Sequence, residues 1–108
     1  VVLVAADVGE LDMDVLRSMM DKVRGKLASG VIVLGSRSEG KACFVASVSE
    51  DLVKRGVHAG KLIGQVAKVA GGGGGGQPHK AQAGGKDSAK VAEAIGKVPE
   101  LLSALLAG

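Results

Sequence analysis

Gly71–Gly85 reads GGGGGGQPHKAQAGG, and its opening run holds six of the chain's 18 glycines. Glycine loses more backbone freedom on folding than any other residue, so a hexaglycine run needs a reason. One reason is a flexible linker. The other is a wall of bare backbone that something must approach closely, with no Cβ in the way. A linker joins self-sufficient units, and only 32 residues follow Gly76, too few for an ordinary domain. Directly behind the glycines come Gln77-Pro78-His79-Lys80 and then Ala81-Gln82-Ala83-Gly84-Gly85, polar groups among small residues and a second glycine pair. That composition favours the wall, read here as a glycine-rich loop before a C-terminal helix.

On the N-terminal side a helix runs straight into Gly71. Leu62, Ile63, Val66, Ala67 and Val69 form its buried stripe, Lys61, Gln65 and Lys68 face outward, and His58 stands near its start. Gly71 is free to adopt the left-handed conformation that ends helices. On the C-terminal side Asp87 or Ser88 caps a last helix, whose Val91, Ile95, Val98, Leu102 and Leu105 recur at alternating steps of four and three. Pro99 falls inside that pattern and should kink or restart the helix. The stripe keeps its register across the proline, so both halves should pack on one surface.

The first half of the chain supplies a sheet. Val1–Ala6 is a continuous apolar run ended by Asp7-Val8-Gly9 and reads as a buried strand. Asp12 can cap an amphipathic helix in which Leu16, Met19, Met20, Val23 and Leu27 share one face, with Gly30 as its stop. Val31–Leu34 is a second buried strand, and a strand–helix–strand crossover makes the first two strands parallel. Gly35-Ser36-Arg37-Ser38-Glu39-Gly40-Lys41 has the spacing of a phosphate-cradling P-loop, but Ala42 replaces the metal-binding Ser/Thr. The following Ala42–Val48 also alternates like a strand instead of opening a helix. The segment is read as a hairpin turn, with strand three antiparallel to strand two. Ser49–Gly56 is a polar crossing to the next helix. The fold class that results is α/β, a small single domain with a mixed β-sheet and packed helices.

The chain of 108 residues makes one domain with a modest core. Tyr and Trp are absent and Phe44 is the sole aromatic, so the core is aliphatic and there is no aromatic platform for stacking bases. Cys43 is a lone cysteine in an apolar alternating run, expected to be buried and inert. No segment has the length of a membrane span or the pattern of a signal peptide, and neither membrane nor cofactor enters the reading. The chain opens on VVLVAA without an initiator Met, as a piece of a longer protein would. Its net charge of +3 is unevenly spread. Residues 51–90 carry seven Lys/Arg against two Asp, whereas residues 1–50 and 91–108 each come to −1. Positive charge gathered around the glycines suits a phosphate-bearing partner.

Catalytic signatures are missing. His58 and His79 have no Cys or carboxylate at metal-ligand spacing, no serine sits in a nucleophile elbow, and Asp7, Asp12 and Asp14 are better explained by helix capping. No catalytic and no metal residue is assigned. Binding is better served. Glycine amides can converge on an anion, Lys80 and Lys86 add charge, and Gln82 and His79 can hydrogen-bond sugar hydroxyls or base edges. Pro78 offers a rigid flat surface.

Gly71–Gly76 with Gln77-Pro78, followed by Ala81-Gln82-Ala83-Gly84-Gly85-Lys86-Asp87, resembles the signature of the C-Ala domain of alanyl-tRNA synthetases, a member of the DHH-associated domain family. The likeness covers nearly the whole of residues 1–108 and takes in Leu16-Arg17 with Asp21, Asp51-Leu52-Val53 and Ala59-Gly60-Lys61-Leu62. The chain departs from the family pattern beside the proline, where Gln77 replaces an Arg and His79-Lys80 replace Asp-Met. The resemblance implies a noncatalytic module of a cytoplasmic alanine–tRNA ligase that holds alanine-specific tRNA at the outer corner where the D and T loops meet. Aminoacylation and editing would reside in other domains of the same synthetase, and a homodimer would form through a helical segment preceding Val1. The site residues so implied are the backbone of Gly71, Gly72, Gly73, Gly74, Gly75 and Gly76, with Pro78, His79, Lys80, Gln82 and Lys86, and Lys61 as an outer phosphate contact. Three other readings stand beside it: the nucleic-acid-gripping domain of a DHH phosphodiesterase of the RecJ type, whose loops are GGGH-like, a scaffold that docks a partner domain or subunit, and a free-standing editing protein that carries this domain.

Overall fold

The computed structural model describes residues 2–107, and the Val1 end of the expected first strand lies outside them. Five strands form one sheet in the order β1-β2-β3-β5-β4. Strand β1 (Leu3–Glu10) runs parallel to β2 (Val31–Ser38), and β2 is antiparallel to β3 (Lys41–Val48), as the crossover and hairpin arguments require. The β2–β3 turn is only two residues long. Glu39 and Gly40 both have positive φ, at 53° and 78°, the geometry whose twist matches the flanking strands. Gly35 is therefore a mid-strand residue and no P-loop forms. Asp7-Val8-Gly9 does not end β1 but makes a bulge. Asp7 Oδ1 accepts from the Gly9 amide at 3.1 Å, and pairing resumes at Glu10 opposite Arg37.

Helix α1 (Met13–Lys26) lies alone on one face of the sheet. Asp12 caps it, its Oδ1 accepting from the Val15 amide at 2.9 Å. Leu16 and Met20 are its buried residues, packed on Ile32, Leu34 and Val45, with Cys43 half-buried beside them instead of enclosed. The helix ends at Leu27, short of Gly30. Gly30 instead sits against the Val2 carbonyl, 2.7 Å from where a Cβ would stand.

The opposite face carries the larger core, centred on Phe44, Val31 and Val33. A short helix α2 (Glu50–Lys54) interrupts the polar crossing, and α3 (Ala59–Val69) follows. Leu62, Ile63, Val66 and Ala67 of α3 are buried as the stripe predicts, while Val69 is half-buried. Gly71 ends this region with φ +73°. Asp87 caps a single 3₁₀ turn (Ser88–Lys90), then come α4 (Val91–Gly96) and α5 (Val98–Ala107). The break at Lys97 is the restart expected of Pro99, which falls in the first turn of α5, where its missing N–H has no partner to lose. Val91, Ile95, Val98 and Leu102 join one core across the break.

The local surprise is the glycine stretch. It is not a loop. Gly73–Gly76 form β4, an edge strand antiparallel to β5 (Lys80–Gly85), which in turn pairs with β3. A run without side chains carries no alternating pattern, so its strand character is invisible to periodicity. It is the pairing with β5 and the packing under α3 that impose it.

Candidate nucleic-acid interface

The two faces of the β4–β5 hairpin are built differently. Residues paired across an antiparallel ladder point to the same side. Ala81 and Ala83 of β5 turn into the core under α3, and Gly76 and Gly74 are their partners. There the glycines are required. A Cβ on Gly76 would lie 2.8 Å from Ala81 Cα, and one on Gly74 would collide with Ala83. From above, a Cβ on Gly60 of α3 would lie 2.7 Å from the Gly76 carbonyl oxygen, and one on Gly64, a turn later, 3.3 Å from that of Gly74. Helix and edge strand thus meet backbone to backbone.

On the other side Lys80, Gln82 and Gly84 face the flank of α1, with Gly75 opposite Gln82 and Gly73 opposite Gly84. A Cβ on Gly73 or Gly75 would meet nothing within 4 Å, and neither residue has positive φ. The result is a bare backbone shelf beside α1. A cleft of about 290 Å³ opens on it, bordered by Arg17, Met20, Gly75, Gln77, Lys80 and Gln82.

The hairpin tip is fixed by backbone hydrogen bonds. The Gln77 amide donates to the Lys80 carbonyl at 2.9 Å, the Val48 amide to the His79 carbonyl at 2.9 Å, and the Ala59 amide to the Pro78 carbonyl at 2.7 Å. Pro78 and His79 therefore leave the shelf and line a neighbouring cleft of about 550 Å³ with Arg24, Leu27, Ser49 and Glu50. Lys61 lies on the first turn of α3, whose start His58 caps by accepting the Lys61 amide on Nδ1 at 3.2 Å. Gly60 beside it touches Gly76, so Lys61 sits near the tip but on the α3 side. Lys86 is exposed beyond the far end of β5, roughly 20 Å from Lys80 at about 3.3 Å per residue.

Gln82 is already engaged. Its Oε1 accepts from Arg17 Nη1 at 3.2 Å, and Arg17 also pairs with Asp14 one turn earlier on α1. Sequence reasoning placed neither Arg17 nor Arg24 in the binding site. Both fall beside the buried stripe of α1, on the same flank, and nothing in the sequence says that this flank adjoins a hairpin some 60 residues away. Among the described residues no group of three or more His, Cys, Asp or Glu is arranged to hold a metal ion, and no helix is long and apolar enough to cross a membrane.

A DHHA1 domain model matches residues 2–104. The chain belongs to the DHHA1 domain family. Its fold superposes on the crystal structure of the C-Ala domain from Aquifex aeolicus alanyl-tRNA synthetase with a TM-score of 0.82 and 36% identity, covering 94% of this chain and 90% of that one. It is 54% identical over 100 residues to the alanine–tRNA ligase of Natranaerobius thermophilus, and 56% identical over 86 residues to that of Pelotomaculum thermopropionicum. Those matches cover 93% and 80% of this chain but only 11% and 10% of the relatives, so the chain spans about a tenth of their length. Over nearly its whole length the chain is thus similar to a C-Ala domain.

Proposed function

We propose that this domain is a noncatalytic tRNA-binding module of an alanine–tRNA ligase, which grips the tRNA elbow on its glycine shelf while other domains aminoacylate and edit. One observation carries the reading. Gly73 and Gly75 are glycines that the fold does not require, since a methyl there would meet open space at an ordinary φ. Glycine within a strand weakens it and marks close approach by another backbone or a ligand. The approaching body comes from the α1 side, where Lys80 and Arg17 stand. RNA suits that surface, because folded RNA is read largely by shape and sugar-phosphate contacts.

The test is a titration of this chain with alanine-specific tRNA, a size-matched RNA duplex and single-stranded DNA at two salt concentrations. Intact tRNA is expected to bind tightest and to weaken steeply with salt. Equal, weak binding to all three, or binding indifferent to salt, overturns the reading and leaves the shelf as a docking surface for another domain.

A further inference from the structure

Helix α1 has two cationic flanks, and only one meets the hairpin. At about 100° per residue, Arg17 and Arg24 lie roughly 20° apart around the axis and about 10.5 Å apart along it. Arg17 borders the glycine cleft, and Arg24 borders the neighbouring cleft with Pro78 and His79. Lys22 and Lys26 are turned roughly 140–180° away from Arg17. The helix therefore presents guanidinium groups toward the hairpin and ammonium groups away from it. A guanidinium is the planar fork that matches two phosphate oxygens, whereas an ammonium acts as a point charge.

Arg17 is also held in place. Nη1 reaches from α1 to Gln82 on β5 at 3.2 Å, across 65 residues of sequence, and Nη2 pairs with Asp14. These two contacts leave further N–H donors of the guanidinium for a ligand, and the side chain remains 45% exposed. A long side chain fixed before binding loses less rotamer freedom when it binds.

Building on the RNA reading above, we infer that Arg17 and Arg24 form a phosphate rail, each taking a phosphodiester of an RNA strand that runs along α1 past the glycine shelf. In this arrangement Gln82 is a positioning residue that steers Arg17, not a reader of bases. Asp14 pairs with Arg17, and Glu50 lines the cleft that Arg24 borders, so each carboxylate disfavours a phosphate on its own side of the guanidinium.

The experiment is a fluorescence-anisotropy titration of this chain with alanine-specific tRNA over a series of salt concentrations. The variants are Arg17→Ala, Arg17→Lys, Arg24→Ala, Gln82→Ala, the Arg17→Ala/Gln82→Ala pair and the Lys22→Ala/Lys26→Ala pair, each checked for an unchanged melting temperature. Each arginine-to-alanine change is expected to weaken binding about tenfold at low salt and to flatten the plot of log affinity against log salt by roughly 0.7–0.9. Arg17→Lys keeps the slope and loses part of the affinity. Gln82→Ala weakens binding about threefold with the slope kept, and adds nothing once Arg17 is alanine, the non-additivity expected of coupled residues. The lysine pair should stay within about twofold of wild type, since those exposed side chains sit on the far flank.

Arginine variants that keep the wild-type slope overturn the rail, as does a lysine pair that matters as much as the arginines. Full additivity of Gln82→Ala on Arg17→Ala overturns the steering role. A wild-type chain that shows no preference for tRNA fails the RNA reading itself. A wild-type chain that prefers tRNA, with arginine variants that match it, fails the rail alone.

Discussion

Along Gly73–Gly76 the two faces of a single strand differ in what they ask of glycine. Toward α3, Gly74 and Gly76 have no room for a methyl, and Gly60 and Gly64 of the helix share that constraint. Toward α1, Gly73 and Gly75 look onto open space. Packing accounts for the first pair completely and for the second not at all. In the proposed reading a homopolymeric run serves two unrelated ends, one internal and one directed at a ligand, and only the pairing register separates them. The register does so sharply, because a shift by one residue would exchange the two sets.

The comparison breaks most readily on the packed face. Gly60→Ala or Gly76→Ala places a methyl under 3 Å from backbone atoms that cannot rotate away. Each is expected to lower stability by about 1–3 kcal/mol, the range for an overpacked core, measured by urea unfolding. A Gly76→Ala domain as stable as wild type would mean that the two faces do not differ. On the open face Gly75→Ala should do the reverse. Unfolding free energy is expected to stay level or rise by about 0.5 kcal/mol, as alanine relieves the entropy of a strand glycine. Binding of alanine-specific tRNA should fall roughly tenfold, about 1.4 kcal/mol. A Gly75→Ala domain that binds like wild type removes the open face from the interface.

A smaller effect probes the helix beside the shelf. Asp12→Ala removes the cap on α1 and is expected to lower stability by about 1 kcal/mol in the same unfolding assay, without touching the hairpin. The smallest concerns Asp51, which lies away from both faces of β4. The Ser29 hydroxyl, which donates to its Oδ2 at 2.6 Å, and then Ser49 hold its carboxyl below its ordinary value of 3.8. A carboxylate depressed in the folded state adds stability in full above its unfolded value, and that contribution is lost as pH falls through the folded value. Ser29→Ala should therefore make a slight difference to melting temperature at pH 7, and that difference should vanish in melts carried out well below pH 3.8.

Much of this architecture is legible in the amino-acid order because the signals are local. The stripe Leu62, Ile63, Val66 and Ala67 declares α3, Asp12 declares the start of α1, and Pro99 declares a restart. The parallel β1–β2 pair follows from the helical crossover between the two strands, and the antiparallel β2–β3 pair from the short connection at Glu39-Gly40. The bulge at Gly9 was less visible, since Asp-Val-Gly signals a turn as readily as a bulge.

The site divides in the same way. Order alone marks Gly71–Gly85 as the segment of interest and gathers positive charge around it, because composition and charge need no coordinates. Tertiary structure decides that Gly73–Gly76 are a strand, that Gly75 faces out while Gly76 faces in, and that Pro78 and His79 leave the shelf while Lys86 stands at its far end. It also brings Arg17 to Gln82 across 65 residues. The physical reason is that a glycine has no side chain to carry a pattern, so its orientation is set only by the partners that the rest of the chain folds against it.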